Sequence, residues 1–113
     1  MTPPLDVGLV GTAQVMVTHT NTARAMGSGL VPVYATPALV ALLEEAAVNA
    51  LKPLLEAGKT SVGTRIEVSH LAATPIGMIV RAQATLSVVD GRRLVFDVVA
   101  HDEVERIAEG IHE

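Results

Sequence analysis

The sequence predicts an α+β domain in which one long helix is covered by an antiparallel sheet. Three observations carry that prediction. Residues 36–58 form the one extended stretch rich in Ala and Leu. The segments on either side of it alternate apolar with polar residues, as half-buried strands do. Between two of those segments lies Asp90-Gly91, a pair suited to a tight hairpin turn. A single helix in an antiparallel protein must be covered by the sheet, and this one has few polar residues around it. It is therefore expected to be central and largely buried.

The elements follow in order. In 8–20, GLVGTAQVMVTHT, one side carries Ala13, Val15 and Val17 and the other Thr12, Gln14, Met16 and Thr18, which predicts a strand. Two glycines and a proline in 26–35 predict an irregular loop. At the helix start, Thr36 suits an N-cap and Pro37 the first helical position, where its missing N–H costs nothing. Gly58 is the expected stop, and Pro53 is expected to bend or interrupt the last turn. Strands are then expected at 60–72, 76–89, 92–103 and 104–112, with a type I′ turn at Asp90-Gly91. There is no repeat, low-complexity tract or linker, so residues 1–113 read as one domain.

Half of the 113 residues are apolar, yet Phe and Tyr occur once each, so the core must be aliphatic. So much apolar surface on a short chain points to a homodimer or higher homo-oligomer. The net charge is −4 and the longest basic run is Arg92-Arg93, which makes nucleic acid a poor partner. With no cysteine there is neither a disulfide nor a thiol nucleophile. No stretch reaches the ~18 apolar residues of a membrane span, and MTPPLDVGLVG lacks a basic segment followed by an apolar one. A cytoplasmic protein is the expectation.

Two positions stand out for chemistry. In SVGTRIEVSHL, residues two apart share a strand face, so His70 joins Val62, Thr64, Ile66 and Val68, while Arg65 and Glu67 mark the wet side. His70 is then aimed at a core, a cleft or a partner subunit. On the helix, Glu45, Asn49 and Lys52 make a polar stripe. Glu44 falls instead in an arc with Val40, Val48, Leu51 and Leu55, where a charge costs several kcal/mol unless it is paired. A helix edge bordering solvent is the plain alternative. Thr36 adds a hydroxyl beside the free helix N–H groups, which favour negative charge. Together these residues suggest a hydrolytic or acyl-transfer site. His19, His101 and His112 lack ligand spacing and read as ordinary surface or structural histidines, and no metal or cofactor is implied.

The pieces PVYATPALVALLEEAA, TSVGTRIEVSHLAATPIGM, VRAQATLSVVDGRRLVFDV and EGIHE resemble the hot-dog-fold thioesterase family that includes fluoroacetyl-CoA thioesterase. The resemblance covers about residues 10–113 and implies a hot-dog fold, one long central helix wrapped by a curved antiparallel β-sheet. It implies an acyl-CoA thioesterase acting at a dimer interface, with Thr36, Glu44 and His70 as the catalytic set. Gly63 matches the glycine whose backbone holds the thioester carbonyl. In the implied roles Glu44 attacks or activates water, His70 moves protons, Thr36 orients the carboxylate and the Gly63 N–H steadies the oxyanion. Tyr34 and Arg65 are candidate substrate contacts, and Lys59, Arg65 and Arg92 are candidate cations for CoA. The lid stretch AMGSGLVPVYATP holds Tyr34 but none of the phenylalanines of the fluoroacetyl-specific enzyme, so the acyl group stays open. A non-catalytic acyl-CoA or small-ligand binding dimer is the competing reading.

Overall fold

The computed structural model describes residues 5–55 and 57–113. Residues 1–4, part of the N-terminal segment read above, and Glu56, within the stretch expected to be helical, lie outside them. Five strands form one antiparallel sheet: β1 (Val10–Met16), β2 (Ile66–His70), β3 (Ile79–Asp90), β4 (Arg93–His101) and β5 (Arg106–His112), in the order β1-β3-β4-β5-β2. A short helix α1 (Ala23–Met26) and the main helix α2 (Thr36–Leu51) complete the fold. The α+β architecture with one main helix is the expected one.

The inner sheet face carries Ala82, Ala84 and Leu86 of β3, Phe96, Val98 and Ala100 of β4, and Ala108 of β5. Against it pack Leu39, Leu42, Leu43, Ala46, Ala47, Ala50 and Leu51 of α2. Small residues let strand and helix approach closely. At Gly11 of β1 a Cβ would run into the backbone of Ala46 and Ala50, so only a glycine fits under the helix there. Asn49 Nδ2 donates to the Thr12 carbonyl at 2.9 Å beside that contact. The helix is less enclosed than expected. Ala41, Glu45, Val48 and Asn49 are exposed and Val40 and Glu44 half-buried, so a strip of its outer side is open in a single chain.

Several boundaries differ from expectation for local reasons. Strand β1 stops at Met16 because Asn21 folds back, accepting from Thr18 N–H at 2.8 Å and donating to the Met16 carbonyl at 3.0 Å. The four-residue α1 that follows is capped by Thr22, whose hydroxyl accepts from Ala25 N–H at 3.2 Å. Helix α2 ends at Leu51, seven residues before Gly58, since Pro53 has no N–H to continue the ladder. Its N-cap is Ala35 with no side-chain bond, so Thr36 is the first helical residue rather than the cap. Strand β2 begins at Ile66, not 60, which leaves Val62 80% exposed and Gly63 in irregular chain. The β3–β4 hairpin has Gly91 and Arg92 in its loop, because Asp90 already pairs with Arg93. Gly91 has φ +61° and no described non-glycine has positive φ, which is the type II′ pattern rather than I′.

Candidate active site

The start of α2 and the end of β2 meet. Thr36 Oγ1 and His70 Nδ1 lie 2.8 Å apart, so the hydroxyl freed from capping bonds the imidazole. Strand alternation puts His70 inward with Ile66 and Val68, opposite Ala108 of β5, as the sequence suggested. The preceding chain is pinned by Tyr34 N–H donating to the Thr74 carbonyl at 2.9 Å. Thr74 is fully buried and donates its hydroxyl to Asp102 Oδ2 at 2.9 Å. Burial alone would raise the Asp102 carboxyl, but amide bonds from Glu105 and Val104 and the Thr74 hydroxyl hold it below the usual range.

His70 Nε2 is buried and makes no hydrogen bond within the described residues. Leaving such an atom unmatched costs about 1–3 kcal/mol, which makes it a candidate for contact with a ligand or a partner. Burial pushes the imidazole below its ordinary pKa, with the Ala72 backbone pulling the other way. A neutral ring is thus favoured.

Glu44 belongs to a second cluster. It lies eight residues beyond Thr36, about 12 Å along the helix axis. A Cβ on Gly63 would come within 2.6 Å of Glu44 Oε2 and 3.0 Å of His112 Cε1, so the missing side chain is what admits both groups to this backbone. These residues line a cleft of about 1030 Å³, walled by Ala47, Leu51, Leu55 and Phe96 and rimmed by Lys59, Arg92 and Arg93. Within one chain, then, Thr36 bonds His70 and not Glu44. The expected set falls into two separate clusters.

The remaining candidates take other places. Tyr34 is 2% exposed and packs in the core outside the cleft lining, and burial followed by the Glu45 charge pushes its phenol up to about 12. Arg65 is exposed and paired with Glu67 outside the cleft, whereas Lys59 and Arg92 do line it. His112, read from sequence as ordinary, is 7% exposed and lines the cleft beside Glu44. Its signal was present in the alternation of β5, where Ala108, Gly110 and His112 share the inner face. Among the described residues no three His, Cys, Asp or Glu side chains converge as metal ligands, and no helix is long and apolar enough to cross a membrane.

Comparison with known proteins adds to this geometry. The family model described as fluoroacetyl-CoA-specific thioesterase matches residues 17–113. A fluoroacetyl-CoA thioesterase of Streptantibioticus cattleyicolor is 51% identical over 81 residues, which are 72% of this chain and 58% of that protein. The match therefore spans less than two thirds of that relative. A solved structure of the fluoroacetyl-CoA thioesterase FlK superposes with TM-score 0.91 at 40% identity, over 97% of this chain and 86% of that one. A thioesterase superfamily member from Thermus thermophilus superposes with TM-score 0.88 at 33% identity, over 96% of this chain and 81% of that one. A hot-dog-like protein from Thermanaerovibrio acidaminovorans does so with TM-score 0.84 at 29% identity, over 94% and 78%.

Proposed function

Because this chain belongs to the fluoroacetyl-CoA-specific thioesterase family, we propose that it hydrolyses an acyl-CoA thioester at sites shared between two copies of itself. The observation that carries the reading is the division of the catalytic set along α2, with Thr36 and His70 at one end and Glu44 and Gly63 at the other. Strand β2 is an edge strand, flanked by the exposed apolar side chains of Val62 and Leu71. Two such edges paired antiparallel about a two-fold axis set the His70 end of one copy beside the Ile66 end of the other. The Thr36–His70 pair of one subunit then faces Glu44 and Gly63 of its partner. Each dimer holds two complete sites.

In that arrangement Glu44 acts as nucleophile or as base to the attacking water. The Gly63 N–H takes no part in the sheet ladder and in this reading donates to the oxyanion. The proton that the attacking water gives up to Glu44 passes through His70, oriented by Thr36, whose otherwise unmatched Nε2 takes it and delivers it to the thiolate as the C–S bond breaks. Pantetheine lies along the apolar wall of the cleft, and Lys59 and Arg92 attract the CoA phosphates at its rim. Arg65 and Tyr34 act indirectly: Arg65 through its backbone carbonyl, and Tyr34 by anchoring the chain before Thr36 through its N–H bond to the Thr74 carbonyl. A solved variant of the fluoroacetyl-CoA-specific thioesterase in complex with fluoroacetate and CoA supports a CoA ester as the ligand class.

The test is thiol release from a panel of short, branched, aromatic and long acyl-CoAs. Turnover of at least one class is expected. Binding of every class with turnover of none would favour the non-catalytic acyl-CoA binding dimer.

A further inference from the structure

We infer that His112 is a positioning residue of this site, acting through Gly63. The inference rests on the assignment of Glu44 and Gly63 above. His112 lies on the inner face of β5, between Phe96 of β4 and Ile66 of β2 in the ladder, and is 7% exposed. Its Nδ1 is 3.2 Å from the Arg65 carbonyl oxygen. A carbonyl only accepts, so Nδ1 carries a hydrogen and is the donor of this bond. The ring stacks on Phe96, centroids 6.4 Å apart and planes 25° from parallel, which sets its tilt.

Held in this way, the ring borders the position where Gly63 meets Glu44: a Cβ there would lie 3.0 Å from His112 Cε1. The backbone supports the same segment one residue further on. Thr64 and Arg65 N–H donate to the Glu113 carbonyl at 2.8 and 3.3 Å, and Glu113 N–H donates to the Arg65 carbonyl at 2.8 Å. Arg93 Nε holds the Glu113 carboxylate at 2.8 Å. These bonds fix residues 64 and 65, whereas Gly63 itself lies beyond the ladder. The donor bond from Nδ1 to the Arg65 carbonyl holds the chain that enters β2, so that Gly63, two residues before it, keeps its line to Glu44.

The test compares His112→Asn, which keeps an N–H donor near the Nδ1 position, with His112→Leu, which keeps apolar bulk and loses the donor. Glu44→Gln is assayed in parallel. Expected are a kcat for His112→Asn close to the parent and a kcat for His112→Leu lower by about 100-fold, the scale of an ångström-sized misplacement. KM should change little in either, and both should melt cooperatively as dimers. A fully active His112→Leu beside an inactive Glu44→Gln overturns the inference and leaves the site standing. A fully active Glu44→Gln overturns the site itself. Equal losses in the Asn and Leu variants, or loss of the folded dimer in both, would make His112 a packing residue only and also overturn the inference.

Discussion

Two adjacent glutamates on α2 make the sharpest contrast at the scale of single residues. Glu44 borders Gly63 in the cleft, and Glu45 is exposed on the outer stripe. Glu45→Gln should leave thiol release nearly unchanged, while Glu44→Gln should lower it by a factor of ~100 or more with the fold intact. The amide also removes the cost of a half-buried charge, so Glu44→Gln should melt at or above the parent temperature. His70 supplies a prediction in pH. Burial holds its native pKa below the ordinary ~6.5, so below that pH the unfolded chain binds more protons than the folded one. Its contribution to stability is complete above pH ~6.5 and is lost as the pH falls from there towards the native value. Melting curves from pH 7 to 5 should therefore show a shallower acid slope in His70→Gln than in the parent. Both residues were visible in the sequence, because a carboxylate and an imidazole at inward positions break a periodic pattern. His112 reads from sequence only as an ordinary surface or structural histidine, because EGIHE is too short and too rich in polar residues for its alternation to stand out.

At the scale of elements, the hydrophobic periodicity located all five strands and the main helix. What it missed were ends set by side-chain bonds that no pattern encodes. Asn21 closing β1, and Thr36 reaching for His70 instead of capping α2, are both decisions of tertiary contact. The stretch 62–64 reads as strand because alternation continues there, whereas the β2 ladder begins only at Ile66. Packing between elements gives its own prediction at Gly11, where β1 touches the α2 backbone. Gly11→Ala places its methyl against main-chain atoms of Ala46 and Ala50, which have no rotamer to yield. Destabilisation of about 3 kcal/mol is expected, at the upper end for overpacking, and is read from the urea midpoint. A loss below ~0.5 kcal/mol would mean that the helix rides further from the sheet than described.

The whole molecule is more elongated than a compact globule of its length. Its radius of gyration is 14.7 Å and its extents 48 × 26 × 21 Å, against ~13 Å for a compact globule of this length. Val48, Val62 and Leu71 are 42%, 80% and 51% exposed along the helix flank and the two ends of β2. Light scattering at micromolar concentration should therefore report a dimer, and the rise of KM with salt should be modest, since few cations rim the cleft. The most direct measurement of the shared site is complementation between inactive subunits. Glu44→Gln and His70→Gln homodimers are each purified, mixed, exchanged by mild denaturation and renaturation, and assayed for thiol release. A heterodimer carries one site with both defects and one with neither, so random exchange at equal amounts should restore about a quarter of parental activity. If the mixture stays as inactive as its two components although exchange is complete, Glu44 and His70 act within one chain, and the shared site is contradicted.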